Sequence, residues 1–458
     1  MAAADAGLTL DRSGSAAADV GSAMRGLQDR LTESQWLSAG EIRRSQFAQL
    51  AVLLDHAAEA VPFYAERLRR AGHVAGRPIG DETWSRLPIL TRPELQAAGS
   101  AIVSSALPAD HGRMGELRTS GSTGTPVTVR VSTLAQAWFK AVVLREQLWH
   151  GRDFARTFAV IRKYKKGIAL PPDGERRGRW ASRAAIPFET GPLLRLNIAA
   201  PASEQAKWLQ RCDPDYLLTY PSNLAALVPA MREAGLRPTR LREVVSMAEL
   251  LPAETRALVR EAWNVPIRDT YSAKEVGYMA LQCAEHEQLH IQSEVALVEV
   301  IDDAGRPCAP GEIGRVVVTP LHNFAMPLIR YEIGDYAEVG PPCACGRGLP
   351  VLARVMGRVR NILVGAAGER YWPSFGTTRF RTLAPVRRHQ FVQKRRNSLE
   401  ARLVVERPLT ADEEGSLRAH IQSRLPEPFE ITFSYVDDIP PSAGGKLENF
   451  ISEVALPA

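Results

Sequence analysis

Seven consecutive residues, Thr119, Ser120, Gly121, Ser122, Thr123, Gly124 and Thr125, are all glycine or small hydroxylated side chains. Gly121 and Gly124 let backbone N–H groups come close to an anion, and each hydroxyl adds a donor that can turn toward a phosphate oxygen. Pro126 and the β-branched alternation Val127–Thr128–Val129–Arg130–Val131 follow, so the loop is expected to open into a strand. A P-loop would end in Lys-Ser or Lys-Thr at the start of a helix, which sets this segment apart from that class. Near the other end of the chain, Gly444–Gly445–Lys446 is a lysine behind two glycines, an arm able to swing an ammonium to a reacting group and stabilise developing charge. Cys343-x-Cys345 offers two thiolates from one turn, and Cys283, His286 and His290 lie upstream. Three cysteines and one histidine can build a tetrahedral Cys3His zinc site, and four protein ligands leave no open position, so such a zinc would be structural. Read singly, each feature also describes a solvated turn or an exposed lysine; their order along the chain carries the weight.

These residues need elements to hold them. With 458 residues, 45% hydrophobic and 24% charged, the chain has globular composition and length for two or three domains. A net charge of +6 suits an anionic ligand, but no basic array interleaved with aromatics points to nucleic acid. No apolar run is long enough to span a membrane and no secretory signal is evident, so a cytoplasmic protein with reduced or metal-bound thiols is expected. Residues 1–21 are expected to be a disordered leader. Helical periodicity dominates 27–68, and Thr91 with Glu94 reads as a capping box. A helix is expected over 134–150, and a Lys/Arg/Gly/Pro-rich surface loop over 163–183. From about Leu193 the pattern is strand 215–220, helix 223–233, strand 243–246, helix 253–262 and strand 267–271, a βαβ rhythm that implies a parallel sheet. Ligands sit at the carboxyl ends of such strands, which here carry Tyr220–Pro221–Ser222, Ser246–Met247–Ala248–Glu249 and Tyr271–Ser272–Ala273. Short strands and turns over 294–339 suggest a β-rich subdomain, and 359–458 a small α/β domain with Thr410 as an N-cap. The basic stretch 379–396 reads as a solvated face.

With that scaffold in view, several segments resemble, in order, motifs of the acyl-adenylate-forming superfamily. The loop at 119–125 is similar to its phosphate loop. Asp269–Thr270–Tyr271–Ser272–Ala273–Lys274–Glu275 resembles its adenine-binding Tyr-Gly-x-x-Glu segment, with Ser272 in place of glycine. Tyr331–Glu332–Ile333–Gly334–Asp335 resembles Tyr-x-x-Gly-Asp, and Gly357–Arg358–Val359–Arg360 resembles the hinge motif Gly-Arg-x-Asp with Arg360 in the Asp position. Pro440–Pro441–Ser442–Ala443–Gly444–Gly445–Lys446 is similar to the C-terminal Pro-x-x-x-x-Gly-Lys loop. Within the superfamily, the branch of phenylacetate–CoA ligases and capsule-biosynthesis ligase-like proteins is resembled by Val61–Pro62–Phe63–Tyr64, Tyr220–Pro221–Ser222, the stretch from Asn323 to Tyr331, and Cys343–Ala344–Cys345–Gly346–Arg347. Thr125 stands where many of those ligases have lysine.

The resemblance implies an α/β protein with a large N-terminal adenylate-forming domain (22–357) and a small mobile C-terminal domain (358–458). It implies ATP and Mg²⁺ as cofactors and acyl-AMP formation with pyrophosphate release. Thr119 to Thr125 would hold the β,γ-phosphates, with Thr119 and Lys446 assisting the chemistry and Glu275 holding the magnesium. Tyr271 would face adenine, Asp335 the ribose hydroxyls and Arg358 ribose or phosphate, with Ala248, Glu249, Asp269 and Ser272 around the nucleotide. The spacing in zinc-bearing relatives favours His290 over His286 beside Cys283, Cys343 and Cys345. Tyr220, Ser222, Asn223, Met247 and Phe188 are candidates for the pocket of a small carboxylic acid. CoA is the leading acceptor and an amine the second, and a homodimer is in keeping with the branch. A rival of another class, a scaffold with a decayed nucleotide site, is favoured by Arg360 and Thr125. Retention of Glu275, Asp335, Arg358 and Lys446 opposes it.

Overall fold

The computed structural model describes residues 14–118, 127–440 and 449–455. The phosphate-loop candidates from Thr119 to Thr125, and Lys446, lie outside the described residues.

Two large sheets meet along the chain. The first has six strands in the order Glu175–Arg177, Leu193–Asn197, Phe158–Arg162, Tyr216–Thr219, Glu243–Ser246, Ile267–Arg268, all parallel except the first. Its strands are apolar along their length, as burial on both faces requires. The helices Ala202–Cys212, Pro221–Glu233 and Ala253–Trp263 return the chain between strands and bury Leu209, Leu227 and Val259 with Ala159, Leu217 and Val244. The opposite face packs Phe158, Val160, Leu218 and Val245 against the helix Thr133–Trp149. The second sheet has seven antiparallel strands, from Ala296–Ile301 at one edge to Thr270–Ala273 at the other. The β-rich part therefore begins well before the expected residue 294.

The expected single strand 267–271 is two strands, one in each sheet. Asp269 makes the break. Its N–H donates to Gln282 Oε1 at 2.8 Å, and its carboxylate accepts from the Thr270 N–H and the Ser246 hydroxyl. The chain thus crosses from the parallel to the antiparallel sheet immediately before Tyr271. Another difference lies at the start: a helix spans Gly14–Ser34, beginning inside the expected leader, where Ala16, Ala17 and Ala18 favour helix. Gln28 ties it to the long helix by donating to the Ala141 carbonyl at 2.6 Å.

A third, four-stranded sheet (Glu430–Tyr435, Ser398–Val405, Val386–Arg395, Phe450–Ser452) carries the helix Ala411–Gln422. Thr410 and Glu413 form the capping box at that helix, as Thr91 and Glu94 do at Arg92–Ala98. Its core, including Phe391, Leu403, Leu417 and Phe450, is separate from the main one. The link is the short turn Val359–Asn361, where Asn361 Nδ2 donates to the Phe450 carbonyl at 2.6 Å. Thr377 donates to Glu254 on the helix Ala253–Trp263 at 3.1 Å, and Arg370 pairs with Asp303 in the turn after the strand Ala296–Ile301.

Candidate active site and metal-binding cluster

Register builds the centre of the site. In the antiparallel pair Tyr331–Val339 and Val351–Arg358, Asp335 lies directly opposite Arg358. The guanidinium Nε stands 3.6 Å from Asp335 Oδ1, and the Tyr271 hydroxyl donates to Asp335 Oδ2 at 2.9 Å. Three motifs far apart in sequence thus converge on one carboxylate. Burial, reinforced by the Asp335 charge, holds the Tyr271 phenol protonated well above the ordinary tyrosine range. Gly357 has φ +100°, a conformation that favours glycine and lets the strand turn into the link immediately after Arg358.

Glu275 follows the strand Thr270–Ala273, and Oε1 lies 3.5 Å from Nη1 of Arg92, the first residue of a capped helix. Both groups act on the hydroxyl of Tyr331, whose pKa is raised by burial first and by the Glu275 charge second. Sequence reading took Arg92 only as part of a helix start. Its placement beside Glu275 depends on the helix docking on the sheet, where Leu90 bridges to Tyr331. Ser272 pairs across the hairpin with Tyr278. The glycine-rich loop is flanked by antiparallel strands, Met114–Arg118 and Thr128–Ser132, with Arg118 opposite Thr128. Val127, just after the loop, shares an apolar cluster with Tyr271 and Tyr331.

At the carboxyl ends of the parallel strands, the Glu249 carboxylate accepts from the Ser222 N–H at 3.0 Å. Ala248, at φ +63°, adopts a left-handed conformation that strains a non-glycine residue. The Tyr220 hydroxyl accepts from the Lys163 N–H at 3.4 Å, and Met247 packs on the cluster around Val245. Asp269 is held above the usual carboxylate range by burial, opposed by its bonds from Ser246 and Thr270. That carboxylate joins the two sheets, which is its evident structural use.

Two pocket candidates are corrected. Asn223 is buried, and its amide donates to Gln205 Oε1 and Thr219 Oγ1, so it braces a helix against a strand. Phe188 is 40% exposed and packs on Phe154, which precedes the strand Phe158–Arg162. It therefore sits at the amino end of the sheet, the edge away from Tyr220 and Met247.

The second constellation is compact. One donor atom from each of Cys283, His290, Cys343 and Cys345 lies within 4.8 Å of every other. Cys343 Sγ is 3.8 Å from Cys283 Sγ, and Cys345 Sγ is 3.3 Å from His290 Nε2. A tetrahedral zinc with bonds of about 2.3 Å to sulfur sets its thiolates about 3.8 Å apart, so the donor set fits the ion. His290 Nδ1 faces the Leu349 carbonyl at 3.4 Å, the arrangement that leaves Nε2 for a metal. Burial holds the imidazole neutral, with its pKa down to about 4. His286 is not a member. Arg347 lies between the rings of Trp36 and Trp149, and the Gly348 N–H donates to the Gln35 carbonyl. The cluster thereby ties the N-terminal helices to the antiparallel sheet.

Known proteins share this architecture over nearly the whole chain. The structure of a 2-hydroxyisobutyryl-CoA ligase in the postadenylation state matches with a TM-score of 0.73, at 18% identity, covering 92% of each chain. The same ligase in its thioesterification state matches at 0.61. In sequence, the chain is 27% identical over 389 residues to the phenylacetate–coenzyme A ligase of Thermus thermophilus, covering 82% of this chain and 83% of that one. Against the Escherichia coli phenylacetate–coenzyme A ligase the identity is 25%, over 75% and 77% of the two chains. Residues 372–453 match the model of the CapK C-terminal domain. In sequence and in fold the chain is similar to acyl-adenylate-forming CoA ligases. The fold is that of adenylate-forming ligases, and the four-stranded sheet with its helix lies within the segment that matches the CapK C-terminal domain. Among the described residues, no helix is long and apolar enough to cross a membrane.

Proposed function

We propose that the protein activates a small carboxylic acid with Mg·ATP and passes the acyl group to coenzyme A. A carboxylate oxygen of the acid attacks the α-phosphorus, the bond to pyrophosphate breaks, and acyl-AMP forms. The thiolate of CoA then attacks the acyl carbon and AMP leaves. The convergence of Tyr271 and Arg358 on Asp335 carries this reading, because it assembles three superfamily motifs around one carboxylate. A carboxylate can accept both hydroxyls of a vicinal diol, so Asp335 is suited to a ribose. Tyr271, tied by its hydroxyl to that carboxylate, presents its ring to the base, and Arg358 reaches ribose or phosphate.

Glu275 would hold a magnesium ion, exchanging its contact with Arg92 for it, and the ion would supply positive charge against the phosphates. The hydroxyls and N–H groups of Thr119, Ser120, Gly121, Ser122, Thr123, Gly124 and Thr125 would cradle the β,γ-phosphates. Lys446 would neutralise charge on the α-phosphate and carboxylate. Rotation of the small domain about 358–361 would then admit the acceptor. A structural zinc at Cys283, His290, Cys343 and Cys345 supports the scaffold rather than the chemistry.

Pyrophosphate release from Mg·ATP across a panel of aryl, arylacetic, short-chain and amino acids, with and without CoA, tests the reading. Release that depends on one acid, with an acyl-CoA product by mass, is the expected result. Acid-dependent release without a thioester makes the acceptor an amine. No release with any acid, despite measurable ATP binding, overturns acid activation and favours a scaffold.

A further inference from the structure

One cation, Lys140, lies on the helix beside the strand ends that would enclose the acid. The helix Thr133–Trp149 covers the face of the parallel sheet that bears Val160, Leu218 and Val245, and Ala141 and Leu144 are its contacts there. It runs from the carboxyl ends of the strands toward their amino ends. At its far end, Glu146 and Gln147 bind Arg152, which in turn binds Glu243, the first residue of the strand Glu243–Ser246. Lys140 lies two turns back from Gln147, roughly 10 Å. Ser246 lies three residues on from Glu243, also roughly 10 Å. Lys140 therefore stands level with the end of that strand, where Met247, Glu249 and Tyr220 cluster.

Its direction is also fixed. Lys140 is one turn from Leu144, so it shares the sheet-facing side of the helix. Phe139, the preceding residue, lies against Gly277 and in ring contact with Tyr278 on the other sheet. Phe139 thus reaches the antiparallel sheet, while Lys140 lies on the side of the helix turned to the parallel sheet. The residues from Thr133 to Lys140 are all half-buried, whereas Ala141 and Val142 are buried, so this end of the helix is the more accessible one. Among the described residues no acceptor or carboxylate partners the Lys140 ammonium, and burial alone depresses its pKa.

The neighbouring rim carries further cations. Arg162 ends the strand Phe158–Arg162, and Arg195 lies on the adjacent strand. Their guanidinium groups stand 4.9 and 4.3 Å from the Tyr164 ring. By strand alternation both share the face of Val160 and Leu193. Carboxylates also stand at this rim: Glu175 lies 3.4 Å from Arg195, and Glu249 accepts from the Ser222 N–H.

We propose that Lys140 receives a second anionic group on the acid, so that the substrate class is a carboxylic acid carrying a further carboxylate or an equivalent anion. The inference rests on the acid-activation reading above. An uncharged acyl group would seal a half-buried ammonium away from water with no partner, which is costly, whereas a second anion supplies the missing acceptor.

The test compares matched acids in the full chain by pyrophosphate release: homoterephthalate against phenylacetate, and glutarate against butyrate. At least one dianionic acid is expected to exceed its partner tenfold or more in kcat/KM. That preference ratio should fall at least tenfold in Lys140→Met and be largely restored in Lys140→Arg. Lys140→Gln serves if the methionine variant does not fold, as judged by its melting curve. A preference for the monoanion in both pairs, or a ratio that Lys140→Met leaves in place, overturns the inference while acid activation stands. Absence of release with all four acids, and with every acid of the wider panel, overturns acid activation itself and the inference with it.

Discussion

Asp335 shows how one side chain can be read differently before and after folding. A Gly-Asp pair is ordinary turn chemistry, yet here the carboxylate is the meeting point of a phenol and a guanidinium. Replacing Asp335 with Ala removes the acceptor for both and for a ribose. Its KM for ATP in pyrophosphate release should rise at least tenfold, with the near-ultraviolet circular dichroism of the fold retained; an unchanged KM would remove Asp335 from the nucleotide site. Lys446 tests a different step. Lys446→Ala should lower the rate of acyl-AMP formation by on the order of a hundredfold or more, the cost of losing one preorganised charge. ATP affinity measured by calorimetry should stay within about threefold, since a transition-state contact contributes little to ground-state binding.

At the scale of elements, the cluster of three cysteines and His290 depends on a hairpin and a loop. Leu281 and His290 pair across the hairpin, His290 also pairs with Val351, and the loop that precedes Val351 delivers Cys343 and Cys345. Cys345→Ser should drop bound zinc below about half an equivalent by elemental analysis and lower the melting temperature, because metal binding is coupled to folding. A full equivalent of zinc in that variant would exclude Cys345 as a ligand. Chelation of the wild type should destabilise it in the same direction. The helix cap is a smaller element with a separate signal: Thr410→Ala removes the oxygen that accepts the Glu413 N–H. A loss of about 1 kcal/mol is expected for such a cap, read from urea denaturation.

For the molecule as a whole, stability should be acid-sensitive. Burial pushes His150, His322 and His389 each down to about 4. A base whose pKa is lower in the folded state is kept neutral there. Its contribution is present above the unfolded value near 6.5 and is lost as pH falls through about 4. The urea midpoint should therefore decline between pH 7 and 4.5 and stay level from 7 to 8.5. His389→Phe, at a site between Phe380 and Phe391, should make that decline shallower. A midpoint that does not move down to pH 4.5 would show that these imidazoles are protonated at no cost.

The sequence by itself determined the likeness to adenylate-forming ligases, the βαβ rhythm and the caps at Thr91 and Thr410. These are written in local patterns: periodicity, turn chemistry and short spacings fixed by the covalent chain. Tertiary structure decided what the patterns could not carry. It split the expected strand 267–271 at Asp269, because hydrogen bonds to Gln282 and from Ser246 on other strands outweigh continuation of the strand. It chose His290 rather than His286, since cross-strand register aims one imidazole at the thiols and not the other. It turned Asn223 inward, left Phe188 at the far edge of the sheet, and set Arg92 beside Glu275. Each of these outcomes depends on partners distant in sequence, and register and docking between elements place such partners.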